Sequence, residues 1–135
     1  MKTTLLKPKS QAALSTLCWG VYVILNGLSM TIDPEGTLKM MGFSPGAETG
    51  IRMAGLLALV LGFYYVQMGR HNFVPFYTWK VIGHVGGILI MTLFYFQNLV
   101  PASIFIICFS DGLAALWTSW GLIYDRKKSH QAVMA

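Results

Sequence analysis

Four apolar runs, each about twenty residues long and parted by short polar breaks, constrain this chain more than any other feature. A helix rises about 1.5 Å per residue, so such a run matches the hydrocarbon thickness of a bilayer. The runs cover about 12–32, 46–69, 76–97 and 101–124. They take up most of the 135 residues and leave little for a soluble domain or a long loop. Composition agrees, with 55% hydrophobic and 11% charged residues, against about 25% charged in soluble domains. The expected fold is all-α: a four-helix transmembrane bundle forming a single integral membrane domain over 1–135.

Local signals place the breaks. The first run follows a basic stretch with Lys2, Lys7 and Lys9, as a secretory signal does. It is longer than a signal core and shows no small-residue cleavage site, so it reads as a retained span. Asp33 followed by Pro34 and Glu35 opens a short helix; Leu38, Met40 and Met41 give it an apolar side, and Gly42 ends it. This predicts an interfacial helix between the first two spans. Ser44 and Pro45 signal the start of the second span. Gly69 to Asn72 break it, Gln97 and Asn98 end the third span, and Asp125 to Lys128 close the fourth.

The net charge of +5 does not point to nucleic acid, because the basic residues flank the apolar runs. That pattern serves orientation and contact with anionic lipid. Lys2, Lys7, Lys9, Arg70, Lys80, Arg126, Lys127 and Lys128 fall on one side, and Lys39 and Arg52 on the other. The positive-inside rule then puts both termini in the cytoplasm, with Lys80 reaching headgroups. Trp79, Trp117, Trp120, Tyr77 and Tyr124 are expected to form the inner aromatic belt.

Helices in lipid associate through close packing and polar contacts. Gly55 and Gly62 lie seven residues apart with Leu59 on the same face; Gly83 and Gly87 form a GxxxG with Gly86 beside them; Gly112, Ala114 and Ala115 follow in the fourth span. These are read first as intrachain contacts, with a homo-oligomer seam as the alternative.

Ionisable groups within a bilayer are costly and face the protein interior. Asp111 falls about 15 Å below the outer boundary, near the midplane. A carboxylate there is either protonated or paired. Arg52 is the expected partner, with Glu48 competing at the i, i+4 spacing and the outer headgroups as a third destination. His84 lies at a depth close to Tyr64, Tyr65 and Gln67, so a cluster of His84, Gln67 and a tyrosine is expected. Each reads as a structural pairing first; otherwise Asp111 would bind a cation or a proton or anchor a polar ligand, and the His84 cluster would serve as a proton relay or a headgroup or quinone site. No catalytic residue, cofactor or metal site is assigned: His84 is the one histidine within a span, and no HxxxH, CxxC or carboxylate cluster has ligand spacing. Cys18 and Cys108 fall at different depths and read as small packing residues.

The run Ile51-Arg52-Met53-Ala54-Gly55, its continuation Leu61-Gly62-Phe63-Tyr64-Tyr65, and Asp111-Gly112-Leu113-Ala114-Ala115-Leu116-Trp117-Thr118 carry a resemblance. With the short amphipathic loop after the first span, the chain resembles small four-span bacterial membrane proteins of the DoxX-like and DUF4345-like kind. The resemblance implies a four-helix membrane bundle in the bacterial inner membrane, with Arg52 and Asp111 matching recurring polar residues and His84 at a position often basic. Some DoxX relatives are linked to thiol–quinone chemistry; the absence of a paired-cysteine motif keeps that role from being carried over.

Three functions are open, in this order. The first is a non-enzymatic accessory or structural subunit with a membrane-protein partner. The second is binding or transport of a small lipophilic ligand, lipid or quinone at Arg52, Asp111, His84, Tyr64 and Gln67. The third is an enzyme acting on a lipid-soluble substrate through His84 or Asp111. A ligand site requires a cavity touching Arg52, Asp111 or His84; an accessory role requires a packed interior and a flat face of small residues.

Overall fold

The computed structural model describes residues 10–134, so Lys2, Lys7 and Lys9 lie outside the described residues. Among the described residues there are five helices and no strand: α1 (Gln11–Ile32), α2 (Pro34–Met40), α3 (Glu48–Arg70), α4 (Val74–Phe96) and α5 (Ile104–Met134). All but α2 are long and apolar enough to cross a membrane, α5 over Ile104–Lys128. The chain is a multi-pass membrane protein. Ser10, His71 and Asp125 mark one end of the bundle, the terminal end. The segment carrying α2 and the turn after Phe96 mark the other, the loop end.

In space α1 lies between α3 and α5, and α4 packs against α5 and also touches α1. The α1–α3 seam is the closest. Gly20 and Gly27 of α1 face Gly62 and Gly55 of α3, and Gly69 faces Ala13. A Cβ at Gly20 would stand 2.7 Å from the Val66 backbone nitrogen, and one at Gly27 would stand 2.8 Å from the Gly55 carbonyl oxygen. The two backbones are therefore in contact. Small residues every seven positions on both partners keep that seam on one face along the full pair. The α3–α4 side is closed by long side chains instead, with Tyr65 edge-on to Phe76 at 5.5 Å between ring centres.

The glycines of α4 behave differently from the intrachain expectation. A Cβ at Gly83, Gly86 or Gly87 would meet nothing within 4 Å. The face of α4 that meets α5 carries Tyr77, Lys80 and His84, all buried. Gly83 and Gly87 are one position off that stripe, so the GxxxG turns away from the bundle.

Two ends of the fold are tied by caps. At the terminal end the Ala13 N–H donates to Ser10 Oγ (3.1 Å), and the Gln11 and Ala12 N–H groups donate to the two carboxylate oxygens of Asp125, each at 3.2 Å. Asp125 thereby fixes α5 to the positive end of α1. At the loop end Asp33 caps α2 by accepting from the Gly36 N–H at 3.0 Å. Gly42 (φ +73°) lets the chain leave α2 in the left-handed conformation. Ser103 Oγ donates to the Met41 carbonyl and holds α2 to the start of α5. The second span begins at Glu48 rather than near Pro45, because Glu48 folds back to accept the Gly46 N–H (2.9 Å) and the intervening residues form a turn.

Two boundary expectations are corrected. Tyr77 is fully buried; its hydroxyl donates to the Met68 carbonyl oxygen at 3.2 Å, so it belongs to the core and not to an aromatic belt. Lys80 is 3% exposed and does not reach headgroups; its Nζ donates to Thr118 Oγ1 at 2.9 Å.

Candidate functional site

Polar side chains gather where α1, α4 and α5 meet, with Tyr65 of α3 against them. Thr118 is fully buried, and its hydroxyl has one proton to give and two lone pairs. The proton goes to the Ala114 carbonyl (2.8 Å). The lone pairs receive Lys80 Nζ and the Ser15 hydroxyl at 2.6 Å, so Ser15 is the donor of that pair. Thr118 is thus fully satisfied by groups from α1, α4 and α5. The Lys80 ammonium also lies 5.9 Å from the centre of the Tyr65 ring.

One turn further along α4, His84 lies near the middle of its helix, about 15 Å from the first residue. It is flanked by Trp19, edge-on with ring centres 5.1 Å apart, and by Tyr65, near-parallel at 6.3 Å. His84 Nδ1 is 3.3 Å from Asp111 Oδ1. A charge-assisted N–H···O bond is shorter, about 2.7–2.9 Å, so the imidazole holds this carboxylate loosely. His84 Nε2 is the buried side-chain nitrogen or oxygen among the described residues that has no hydrogen-bond partner.

Asp111 differs from His84 in having an open side. Its side chain is 26% exposed against 7% for the imidazole. It lines a partly open cavity of about 400 Å³ between α1 and α5, covered at the loop end by α2. The α1 wall is one helical face that includes Trp19, Tyr22 and Met30, and the α2 side adds Met40, Met41 and Phe43. A pocket of this size with mainly apolar walls and a few polar groups has the dimensions of a small-molecule site. Trp19 separates it from His84, so the cavity meets the dyad at the Asp111 carboxylate.

The residues expected at the site are only partly brought together. Asp111 and His84 meet each other, and Arg52 meets neither. Arg52 is exposed at the loop end and donates to the carbonyl of Thr31 in the last turn of α1. Arg52 stands four residues into α3 at the loop end, and α1 lies between α3 and α5, so Arg52 does not reach Asp111. Tyr64 is 52% exposed on the outside of α3, and its neighbour Tyr65 is the tyrosine beside His84. Gln67 is half-buried, and no side-chain hydrogen bond joins it to His84 among the described residues. Lys80, Thr118, Ser15 and Trp19 complete the arrangement. Cys18 and Cys108 are free thiols, and Cys18 is exposed rather than packed.

The fold and this cavity define the class: a four-span helical membrane protein with an intramembrane apolar cavity ending on a carboxylate. The chain matches no protein-family model, no curated protein and no solved structure.

Proposed function

We propose that the protein binds a small lipophilic ligand within the bilayer, in the cavity between α1, α2 and α5, with the Asp111 carboxylate as its polar anchor. The observation that carries this reading is that the cavity of about 400 Å³ reaches Asp111. An accessory subunit with a packed interior has no use for it, because a midspan carboxylate beside open space is costly. Native mass spectrometry of the gently extracted protein tests the reading. A stoichiometric extra mass is expected, and Ser110→Phe, which places a ring where a small lining residue stands, should remove it while the variant stays folded. A bare protein, or an extra mass that survives Ser110→Phe, overturns the reading.

A second reading, that of an accessory subunit, has one observation in its favour. The Gly83–Gly86–Gly87 face of α4 is open to close approach by another helix. A membrane-protein partner or a second copy of this chain seated there would add its own mass in the same experiment.

Orientation and place in the cell belong to the same proposal. With Lys80 inside the bundle, Arg70, Arg126, Lys127 and Lys128 at the terminal end outweigh Lys39 and Arg52 at the loop end. This supports cytoplasmic termini. The DoxX-like resemblance supports a bacterial inner membrane.

A further inference from the structure

Resting on the cavity reading, we infer that the ligand is a lipophilic cation: an amine, or an ammonium or phosphonium ion, carrying apolar groups. Asp111 is the one residue with a formal charge among those that line the cavity. The basic side chains of the neighbouring helices are engaged elsewhere. Arg52 is bound to the Thr31 carbonyl and Lys80 to Thr118. The nearest partner is the His84 imidazole, at a long 3.3 Å and without a hydrogen bond. A carboxylate facing apolar walls is stabilised by a positive charge brought to it, and an anionic ligand would meet like charge in a poorly screened site. The walls suit such a guest. Trp19, Tyr22 and Phe43 place aromatic rings in the wall, a residue type that attracts cations, and Met30, Met40 and Met41 are flexible and polarisable.

The test compares two ions of one shape and opposite charge, tetraphenylphosphonium and tetraphenylborate, by calorimetry on the purified protein in nonionic detergent. The phosphonium is expected to bind at least about tenfold tighter than the borate. Asp111→Asn should lower its affinity by about tenfold or more, the scale for removing one member of a desolvated charge pair. Comparable binding of the two ions overturns the inference, and so does an Asp111→Asn protein that binds the phosphonium as well as wild type. The two-ion comparison needs no variant, so an Asp111→Asn that fails to fold still leaves the question decided. If neither ion binds, the molecule released from gently extracted protein decides. An amine supports the cation, and a neutral or acidic lipophile overturns it while the cavity reading stands. A bare protein overturns both.

Discussion

Gly62 and Gly83 are both glycines in the middle of spanning helices, yet alanine should act on them with opposite sign. A methyl at Gly62 would stand 2.9 Å from both the Gly20 carbonyl oxygen and the Ile24 nitrogen, where ordinary contact begins at 3.4 Å. These are backbone atoms of the facing helix and cannot step aside, so α1 and α3 must part by about half an ångström. A gap of about 0.5–1 Å forfeits a quarter to a half of each dispersion contact, and it would open along the closest seam of the bundle. Overpacking of this kind costs about 1–3 kcal/mol, and Gly62→Val should cost more than Gly62→Ala. At Gly83 a methyl meets nothing within 4 Å. Gly83→Ala should therefore be neutral, or stabilising by up to about 1 kcal/mol through helix propensity. Reversible unfolding of the two variants in mixed micelles, followed by tryptophan fluorescence, reads the difference directly. A Gly62→Ala protein as stable as wild type would refute the claim that the seam is closed by backbone contact. An equal loss at Gly83 would mean that these variants report helix flexibility and not packing.

Other substitutions test separate parts of the structure. Lys80→Met keeps most of the length of the side chain and removes its buried amine, so stability should stay within about 1 kcal/mol of wild type or rise, whereas Lys80→Ala should lose about 2–3 kcal/mol to the space it leaves; a large loss in the methionine variant on the same unfolding assay would mean that Lys80 has a charge partner. Asp125→Ala removes the acceptor for two N–H groups of α1 and should cost about 1–2 kcal/mol, with amide exchange in the first turn of α1 rising most; unchanged exchange there would count against the cap. Arg52→Met should cost only about 0.3–1 kcal/mol, the worth of a cation at a helix C-terminus, and an Arg52→Asp, Asp111→Arg double variant should not recover what either single change loses, as judged by expression and unfolding midpoint.

The number of helices and the interfacial α2 were legible because both follow from one-dimensional signals: apolar run length, and Asp33-Pro34 followed by Gly42. The seam was legible by half. Gly55 and Gly62 carry the seven-residue spacing, and the same spacing joins Ala13, Gly20 and Gly27 in α1, where it faces α3 in the opposite direction. Reading the two runs against each other would have paired these helices. The site was harder. Depth along a helix does not say which helices are neighbours, and α1 stands between Arg52 on α3 and Asp111 on α5. Which face of α4 turns inward was ambiguous, because Gly83 and Gly87 offered a close-packing face while Lys80 and His84, one position on, offered a polar one. The polar face is the buried one. Thr118 gives Lys80 an oxygen to bind, and no oxygen is needed by glycine facing lipid. Tyr65 and Tyr64 are adjacent in sequence, about a hundred degrees apart on the helix, and nothing in their identity distinguishes the inner from the outer.

Helix α1 carries two tasks on two faces, and this division bears on where a ligand can act. Its Ala13–Gly20–Gly27 face is locked to α3 by backbone contact, with no slack to absorb a change. Its Trp19–Tyr22–Met30 face lines the cavity. Across that cavity the ties are side-chain hydrogen bonds: Ser29 with Thr37 at 3.3 Å, and Ser103 with the Met41 carbonyl. Such bonds are each worth only about 0.5–1.5 kcal/mol net. Any rearrangement that admits a ligand therefore falls on α2 and the start of α5, with α1 and α3 as the fixed wall. The Asp111 carboxylate lines that cavity from α5, and the His84 ring behind it leaves Nε2 without a hydrogen-bond partner. Natural sequences break packing rules where function requires it. Here a loosely held carboxylate, an imidazole nitrogen without a hydrogen-bond partner and unfilled volume occur together beside the side of the bundle tied by single hydrogen bonds.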